Sequence, residues 1–245
     1  MVTNMIDAET KVVILTGAGI SAESGIRTFR ASDGLWENHR IEDVATPSAW
    51  ARDPKLVWEF YQGRRRQLLE VEPNDAHDAL AKLEDFLGGN FLLITQNVDN
   101  LHSRAGSTNL IHMHGELSKL RCESCDSIIE AMNEEHLGDE YISCSKCGAE
   151  RLRPHIVWFN EMPLKMEEIY GAVQDCDVFI AIGTSGHVYP AAGLLGSAQM
   201  LGAHCIGINL DPPINVDLFD EFHQGKAGEI LPELIQNWIE KKTTE

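Results

Sequence analysis

Five short hydrophobic runs stand out along the chain, and in each of them apolar residues follow one another with little polar alternation. Such runs are typical of strands in a parallel sheet that is covered on both faces. Each run ends at a polar or glycine-containing turn, and in an open α/β sheet ligands bind beyond the carboxyl ends of the strands. The pattern therefore predicts an α/β fold in which the turns with functional side chains meet at one edge. The runs are residues 12–16, 91–95, 110–112, 178–182 and 205–209.

A mostly helical segment is predicted between the first two strands, at about residues 40–75. Asp53 followed by Pro54 is a good helix start, with the aspartate as N-cap and the proline at the first helical position. We expect Arg65 and Arg66 to point to water. The arginine on the apolar face needs an anion, because burying an unpaired guanidinium is costly, and an internal carboxylate would be its ordinary partner. That face consists of Val57, Tyr61, Arg64 and Leu68, at i, i+4, i+7 and i+11.

The first strand is followed by a turn of small residues, Gly17-Ala18-Gly19-Ile20-Ser21-Ala22, which fits the pattern G-x-G-x-x-G/A. Small residues let the backbone approach a pyrophosphate, whose charge is stabilised by free N–H groups at a helix N-terminus. A simple glycine turn would look the same. An ordinary dinucleotide-binding unit would continue with a second strand and an acidic residue about 20 residues later, but no second strand is predicted before residue 91. The intervening segment, with Phe29 beside Arg30, instead indicates a loop that covers a cofactor.

Polar side chains follow the second and third predicted strands. The run Gln96-Asn97-Val98-Asp99 could orient a ribose and a carboxamide, although a structural turn has the same composition. His114 has an unperturbed pKa of about 6.5, which suits a proton acceptor at neutral pH, and a structural histidine is the alternative. We expect Gly115 to leave open backbone space beside it. His112 should face the same side, because side chains alternate along a strand, and is the rival for the same role.

Four of the six cysteines form two close pairs, Cys122-x-x-Cys125 and Cys144-x-x-Cys147, separated by 18 residues. This spacing predicts a structural zinc site, since four thiolates close a tetrahedral shell and leave no position for water. A redox pair or free cysteines are the alternative. The segment between the pairs is polar and acidic, so it needs the ion to hold its structure.

Charge and composition limit the partners. The chain has 20 Lys+Arg against 38 Asp+Glu and a formal net charge of −18. This disfavours nucleic acid, because phosphate binding needs concentrated basic residues, and it suits basic protein substrates or simple solubility. No secretory signal or membrane-length apolar run is visible. We therefore expect a cytoplasmic protein, a monomer, with no nucleic-acid or membrane partner.

Several sequence blocks together carry a family resemblance that extends, in order, over nearly the whole chain. They are GAGISAESGIRTFR, TQNVDNLH, HMHGEL, the two cysteine pairs, RPHIVWFNE, GTSGHVYPAA and INLDPP. The chain resembles the sirtuins, the NAD-dependent protein deacylases, and is most similar to bacterial class III sirtuins of the CobB type. One position departs from the pattern, because Asn160 stands where glycine is expected after the phenylalanine.

The resemblance implies a Rossmann-like parallel sheet domain with smaller inserts. The discontinuous NAD-binding domain would comprise residues 1–39, 76–117 and 152–245. A helical insert at 40–75 would bear the acyl pocket, and a zinc-binding insert of the ribbon type would occupy 118–151. NAD would be the co-substrate and one structural Zn²⁺ the metal.

The resemblance also implies roles for individual residues. His114 would be the general base, with Asn97 positioning the attacked carbon, and Tyr61 with Arg64 would hold the carboxylate of succinyl- or malonyl-lysine. The substrate peptide would lie as an added strand between two segments, with contacts from Val157, Phe159, Gly186 and Val188. NAD would be bound by Gly17, Ala18, Gly19, Ala22, Phe29, Arg30, Gln96, Asn97, Val98, Asp99, Gly183, Thr184, Ser185, Asn209, Leu210, Asp211 and Ala227.

The implied reaction transfers an acyl group from lysine to ADP-ribose. The acyl oxygen attacks C1′ of the nicotinamide ribose, nicotinamide leaves, and His114 helps a ribose hydroxyl to take the acyl group, so that lysine and O-acyl-ADP-ribose are released. Three rival functions remain open at this stage. They are an NAD-dependent oxidoreductase, a mono-ADP-ribosyltransferase that uses the same NAD cleavage, and a non-catalytic module that binds NAD or acyl-lysine.

Overall fold

The computed structural model describes residues 6–27, 35–36, 39–133 and 136–240. Its strands are β1 Val12–Thr16, β2 Leu35–Trp36, β3 His39–Arg40, β4 Phe91–Thr95, β5 Leu110–His112, β6 Gly115–Arg121, β7 Ile128–Glu130, β8 Arg153–Ile156, β9 Val178–Ile182, β10 His204–Asn209 and β11 Glu221–Gln224. Its α-helices are α1 Ile41–Val44, α2 Pro47–Arg52, α3 Pro54–Leu68, α4 Asp75–Leu87, α5 Leu101–Arg104, α6 Met166–Asp175, α7 Ala191–Met200 and α8 Ala227–Glu240.

A six-stranded parallel sheet in the order β11-β10-β9-β1-β4-β5 forms the larger part of the structure. The five predicted strands are confirmed, with β10 beginning one residue earlier than expected. The edge strand β11 was not predicted, because its Glu-Phe-His-Gln sequence is only half-buried and lacks a continuous apolar run. The chain leaves β1 towards β4 and later returns on its other side as β9. The strand order therefore reverses beside β1, where open α/β sheets bind their ligands.

The strand β1 shows why the sheet is buried on both faces. Val12 and Ile14 belong to the hydrophobic cluster that contains α4 and α8, whereas Val13 and Leu15 belong to the cluster on the opposite face with α6 and α7. Each large aliphatic side chain removed from water contributes about 1.5–3 kcal/mol. Burial on both faces therefore anchors the strands whose ends carry the functional turns.

A third hydrophobic cluster unites helices α1–α3 with a small antiparallel sheet in the order β7-β6-β8. Trp50 and Tyr61 from the helices lie in it together with Trp158 and the zinc-module cysteines Cys122 and Cys144. We call these helices and this small sheet the insert core. The helical and zinc-binding segments thus share one apolar interior, and the division of the chain into three units stays a prediction.

Helix α3 begins as predicted, since the Asp53 side chain accepts the backbone N–H of Leu56 at 3.1 Å. The expectation that Arg65 points to water is wrong. Arg65 is fully buried, its Nε donates to the Leu117 carbonyl at 2.7 Å, and its guanidinium lies 5.3 Å from the centre of the Trp58 ring. Burial lowers its pKa to about 10. The helix is covered on more than one face, so a single apolar stripe did not reveal which arginine is enclosed.

The structure also corrects the expectation that no strand precedes residue 91. The two-residue strands β2 and β3 pair antiparallel with each other and form a sheet of their own, separate from the six-stranded sheet. Across the residues that the structure describes, every helix is too short or too polar to cross a membrane.

Candidate active site

A cavity of about 1330 Å³ lies over the carboxyl ends of β1, β4, β9 and β10 and extends to the insert core. Typical small-molecule pockets measure about 300–1,000 Å³, so this one has room for more than one small ligand. Among the predicted site residues it is lined by Gly17, Ala18, Gly19, Ala22, Tyr61, Gln96, Asn97, Val98, Asp99, His114, Val157, Phe159, Gly183, Thr184, Ser185, Val188, Asn209, Leu210, Asp211 and Ala227.

Two of the predicted NAD- and substrate-binding residues that the structure describes, Arg64 and Gly186, do not line the cavity. Phe29 and Arg30 lie outside the described residues. Arg64 is half-buried, with its guanidinium 5.8 Å from the centre of the Phe60 ring, and Gly186 packs against Asn215 instead. The turns predicted to meet at one edge do so, and the roles of the individual side chains remain predictions.

The glycines after β1 are needed for close packing against the turn after β9. A Cβ atom on Gly19 would lie 2.6 Å from Cα of Gly183. A Cβ atom on Gly17 would lie 2.8 Å from the Gly183 carbonyl oxygen. The backbone N–H of Gly19 donates to that same carbonyl at 2.9 Å. The sequence explained these glycines by the approach of a pyrophosphate. The structure adds that two loops of the protein touch here backbone to backbone.

A chain of hydrogen bonds links the glycine turn to the QNVD turn after β4. The Asn97 side-chain amide donates to the Gly17 carbonyl at 3.2 Å and to Ser21 Oγ at 3.1 Å, and Ser21 Oγ donates to Asp99 Oδ2 at 3.0 Å. Burial raises the pKa of Asp99. Ser21 was missed as a positioning side chain, although it lies inside the G-x-G-x-x-A motif. Its hydroxyl fixes two of the predicted ligand-binding side chains of the turn, those of Asn97 and Asp99.

The next two turns are joined through Thr184. Gln96 Nε2 donates to Thr184 Oγ1 at 3.2 Å, and Asn209 Nδ2 donates to the Thr184 carbonyl at 2.9 Å. Glu23, which the sequence did not single out, accepts the backbone N–H of Gly228 at 2.8 Å in the first turn of α8. These contacts hold the ends of four strands and the start of the last helix around one cavity.

His114 is oriented by the backbone beside it. Its Nδ1 lies 3.0 Å from the Gln96 carbonyl oxygen. A carbonyl only accepts hydrogen bonds, so Nδ1 carries the proton and Nε2 is left as the acceptor of the ring. Burial lowers the pKa of His114, and the bond to Gln96 partly opposes this. The imidazole is therefore neutral at pH 7 and able to take a proton.

Two expectations about the surroundings of His114 are wrong. His112 is not among the described residues that line the cavity, because β5 ends at His112 and the alternation of a strand does not continue into the turn. Its pKa is lowered by burial. Gly115 does not leave open space either. It has φ +80°, and a Cβ there would lie 2.1 Å from the His155 carbonyl oxygen, so it is required for backbone packing between β6 and β8.

The far wall of the cavity is aromatic. Tyr61 is completely buried, and its hydroxyl oxygen accepts the indole N–H of Trp158 at 3.0 Å. Burial strongly raises the pKa of Tyr61, so the phenol stays protonated. The sequence did not single out Trp158, because its partner in this wall lies 97 residues away in the chain.

The segment after β8 turns back at Asn160. The backbone N–H of Glu161 donates to the Trp158 carbonyl at 3.0 Å, and Asn160 has φ +73° at the third position of this turn. A positive φ at that position is typical of a type II turn, which accepts Gly or Asn. The departure from the expected glycine is therefore tolerated by the backbone.

The four paired cysteines form a compact cluster. Their Sγ atoms all lie within 4.8 Å of one another, with Cys122 and Cys147 3.6 Å apart and Cys125 and Cys144 3.7 Å apart. A tetrahedral zinc with Zn–S bonds of about 2.3 Å requires sulfur separations of about 3.8 Å. The donor set fits a structural Zn²⁺ with all four positions filled by protein.

A model described as the Sir2 family matches residues 17–190. The chain belongs to the Sir2 family. It is 56% identical over 231 residues to an NAD-dependent protein deacylase of Salmonella typhimurium, and this alignment covers 94% of this chain and 84% of the relative. It is 55% identical over 233 residues to a protein of the same name from Pasteurella multocida, and this alignment covers 94% of this chain and 99% of the relative.

Solved Sir2 structures share the fold. A mutant Sir2 homologue in complex with ADP-ribose has a TM-score of 0.88 at 42% identity, over 97% of this chain and 96% of that one. A Sir2 homologue in complex with NAD has a TM-score of 0.86 at 43% identity, over 96% and 91%. Sir2Af2 bound to a myristoylated histone peptide has a TM-score of 0.77 at 34% identity, over 97% and 95%.

Proposed function

We propose that this chain, an NAD-dependent protein deacylase of the Sir2 family, removes acetyl, succinyl and malonyl groups from lysine side chains of proteins. The acyl group would pass to ADP-ribose, with release of nicotinamide. The observation that carries this proposal is the position of His114, whose Nδ1 lies 3.0 Å from the Gln96 carbonyl oxygen, in the same cavity as the glycine turn and the Tyr61 wall. NAD supplies the ribose carbon that becomes electrophilic when nicotinamide leaves.

Different residues of the cavity would bind NAD and accept the proton. Thr184, Asn209 and the glycine turn would bind the phosphates and the adenosine part of NAD, while Asn97 and Asp99 would hold the nicotinamide ribose and carboxamide. His114 would accept a proton from a ribose hydroxyl through Nε2, because Nδ1 is engaged with Gln96. None of these steps needs a protein nucleophile.

The acidic acyl groups are assigned to the aromatic wall. The Tyr61 hydroxyl is a permanent hydrogen-bond donor, and Arg64 lies one helical turn away on α3. A carboxylate at the end of a succinyl or malonyl group would accept a charge-assisted hydrogen bond there, which a neutral acetyl group cannot do. Phe159 and Val188 would border the bound peptide.

We further propose that the enzyme is a cytoplasmic monomer with neither nucleic acid nor membrane as partner. A cluster of four thiolates for a metal suits a reducing compartment, and a net charge of −18 opposes binding to a phosphate backbone.

The test uses matched acetyl-, succinyl- and malonyl-lysine peptides with NAD, followed by mass spectrometry of all products. His114→Tyr should abolish every activity. Tyr61→Phe combined with Arg64→Met should lower desuccinylation and demalonylation far more than deacetylation. Equal loss of all three activities would contradict the assignment of the acyl carboxylate to Tyr61 and Arg64. ADP-ribose attached to the peptide, rather than O-acyl-ADP-ribose in solution, would instead favour the ADP-ribosyltransferase.

A further inference from the structure

An ion pair between a buried arginine and a half-buried glutamate adjoins the aromatic wall and has no role in the reaction proposed above. Arg153 is 3% exposed, and its two terminal nitrogens donate to the two carboxylate oxygens of Glu161 at 2.7 and 2.9 Å. Nη2 also donates to the Ile156 carbonyl at 2.8 Å. Two parallel N–H···O bonds fix the plane of a guanidinium. Three hydrogen bonds therefore hold the buried guanidinium in one geometry, while its Nε is buried without a partner among the described residues.

This ion pair fixes Trp158 in two ways. The guanidinium carbon of Arg153 lies 3.5 Å from the centre of the Trp158 ring, which is the arrangement of a stacked cation–π contact. Glu161 accepts the backbone N–H of Trp158 at 2.8 Å and returns its own N–H to the Trp158 carbonyl at 3.0 Å. Arg153 thus holds the ring, and Glu161 holds the backbone. We call Arg153, Glu161 and Trp158 the clamp.

The clamp ends at the hydroxyl of Tyr61. An indole nitrogen only donates, so in the 3.0 Å contact Tyr61 oxygen is the acceptor and its own hydrogen is directed away from Trp158. The aromatic rings also adjoin, with centroids 6.4 Å apart. The clamp therefore determines where the phenolic hydrogen can point.

We propose that the clamp is a specificity device, in which Arg153 and Glu161 are positioning residues that orient the Tyr61 hydroxyl through Trp158 and thereby favour acyl groups with a terminal carboxylate over acetyl. This inference rests on the proposed function, because it requires Tyr61 to contact the acyl group. A donor that is already oriented loses less conformational freedom when it binds a carboxylate. Acetyl has no acceptor at that position and gains nothing from the orientation.

The decisive variant is Trp158→Phe, which keeps an aromatic ring and removes the N–H. With matched succinyl- and acetyl-lysine peptides, KM for the succinyl peptide should rise about 3- to 10-fold relative to KM for the acetyl peptide, the size expected for one hydrogen bond. The kcat values should change less than this ratio. Glu161→Gln should shift the ratio in the same direction by a smaller factor.

Trp50→Phe is the matched control. Trp50 is buried in the same insert core, with its ring centroid 5.9 Å from that of Trp158, but its N–H donates to Glu123 at 3.0 Å. This variant should leave the succinyl-to-acetyl ratio of KM values at the wild-type value. A shift as large as that of Trp158→Phe would show that any disturbance of the insert core changes the ratio and would overturn the inference.

Tyr61→Phe separates failure of the inference from failure of the proposed function. If Tyr61→Phe changes the ratio and Trp158→Phe does not, the clamp is overturned while the acyl assignment stands. If Tyr61→Phe leaves the ratio unchanged, the assignment of Tyr61 to the acyl group fails, and the inference fails with it. In the double variant the ratio should equal that of Tyr61→Phe alone, because both changes remove one coupled interaction. Additive effects on the ratio would contradict the clamp. If Trp158→Phe does not fold, Glu161→Gln takes its place in the same comparison.

Discussion

The six-stranded sheet and the insert core are stabilised in different ways. On the two faces of the sheet, aliphatic and aromatic residues from β1, β9 and the flanking helices form the clusters, and Glu84 of α4 is a buried carboxylate of this region. The insert core instead encloses two arginines, Arg65 and Arg153, beside tryptophans and the cysteine cluster. The sheet depends on non-directional burial, which tolerates small displacements. The insert core depends on contacts that act only at defined distances and angles.

This difference matches the division of the cavity. The turns that leave the sheet carry the residues assigned to NAD, whereas the insert core carries the wall assigned to the acyl group. Directional contacts suit the second task, since discrimination between acyl groups depends on the placement of single donors.

The largest effect is expected from removal of the metal, which should separate the behaviour of the insert core from that of the sheet. Cys144→Ser, or chelation, should unfold much of the insert core, because its polar zinc-binding segment cannot hold its structure alone. Trp36, Trp50, Trp58 and Trp158 pack in this core, and the fifth tryptophan, Trp238, packs on the sheet. Tryptophan fluorescence should therefore shift strongly to the red, while the far-ultraviolet signal of the helices on the sheet persists. Cys205→Ala in the sheet should keep one zinc per chain, and unfolding of both regions together on chelation would contradict the division.

A smaller loss is expected from the buried arginine of α3. Arg65→Ala leaves the Leu117 carbonyl and Gln62 without their buried donor, so the free energy of unfolding should fall by about 3 kcal/mol. Arg66→Ala is the matched control one residue later. Its partner Asp139 is an exposed residue 3.2 Å away, and loss of such a pair should cost less than about 1 kcal/mol. Urea unfolding of both variants measures the difference, and equal losses would show that burial of Arg65 contributes nothing specific.

The sheet region has its own sensitivity, to pH. Burial lowers the pKa of His77 at the start of α4 to about 4, against about 6.5 in an unfolded chain. Between these values the unfolded chain binds a proton that the folded chain does not, so stability falls as the pH falls, by about 2 kcal/mol from pH 8 to pH 5. His77→Gln keeps an acceptor for the N-cap N–H of Asn74 and should lose about 2 kcal/mol less over that interval. An unchanged pH dependence in urea unfolding would exclude His77 as the cause.

The same contrast explains what the sequence predicted. Continuous apolar runs identified the strands β1, β4, β5 and β9 at their observed bounds, because burial on both faces leaves that pattern in the local sequence. The edge strand β11 was missed, since a half-buried strand lacks it. The cysteine spacing predicted the cluster, because metal ligation fixes residue type and separation in the sequence itself.

Contacts between distant segments were not predictable in this way. The enclosure of Arg65 depends on β6, more than 50 residues away, and the bond between Trp158 and Tyr61 joins residues 97 positions apart. The predicted direction of His112 was wrong because β5 ends at His112, two residues before His114, so side chains do not alternate regularly between them. For Arg65 and Trp158 the deciding partner lies outside the local pattern.

The shared interior of α1–α3 and the small sheet limits how substrate preference can be exchanged between relatives. Tyr61 comes from one segment and Trp158 with its ion pair from another, and their side chains interlock across the boundary. A chimaera that receives only the helices, or only the metal-binding ribbon and β8, lacks one partner of the bond between Trp158 and Tyr61. Transplanting the acyl pocket onto another Sir2 scaffold therefore requires moving both segments as a single cassette.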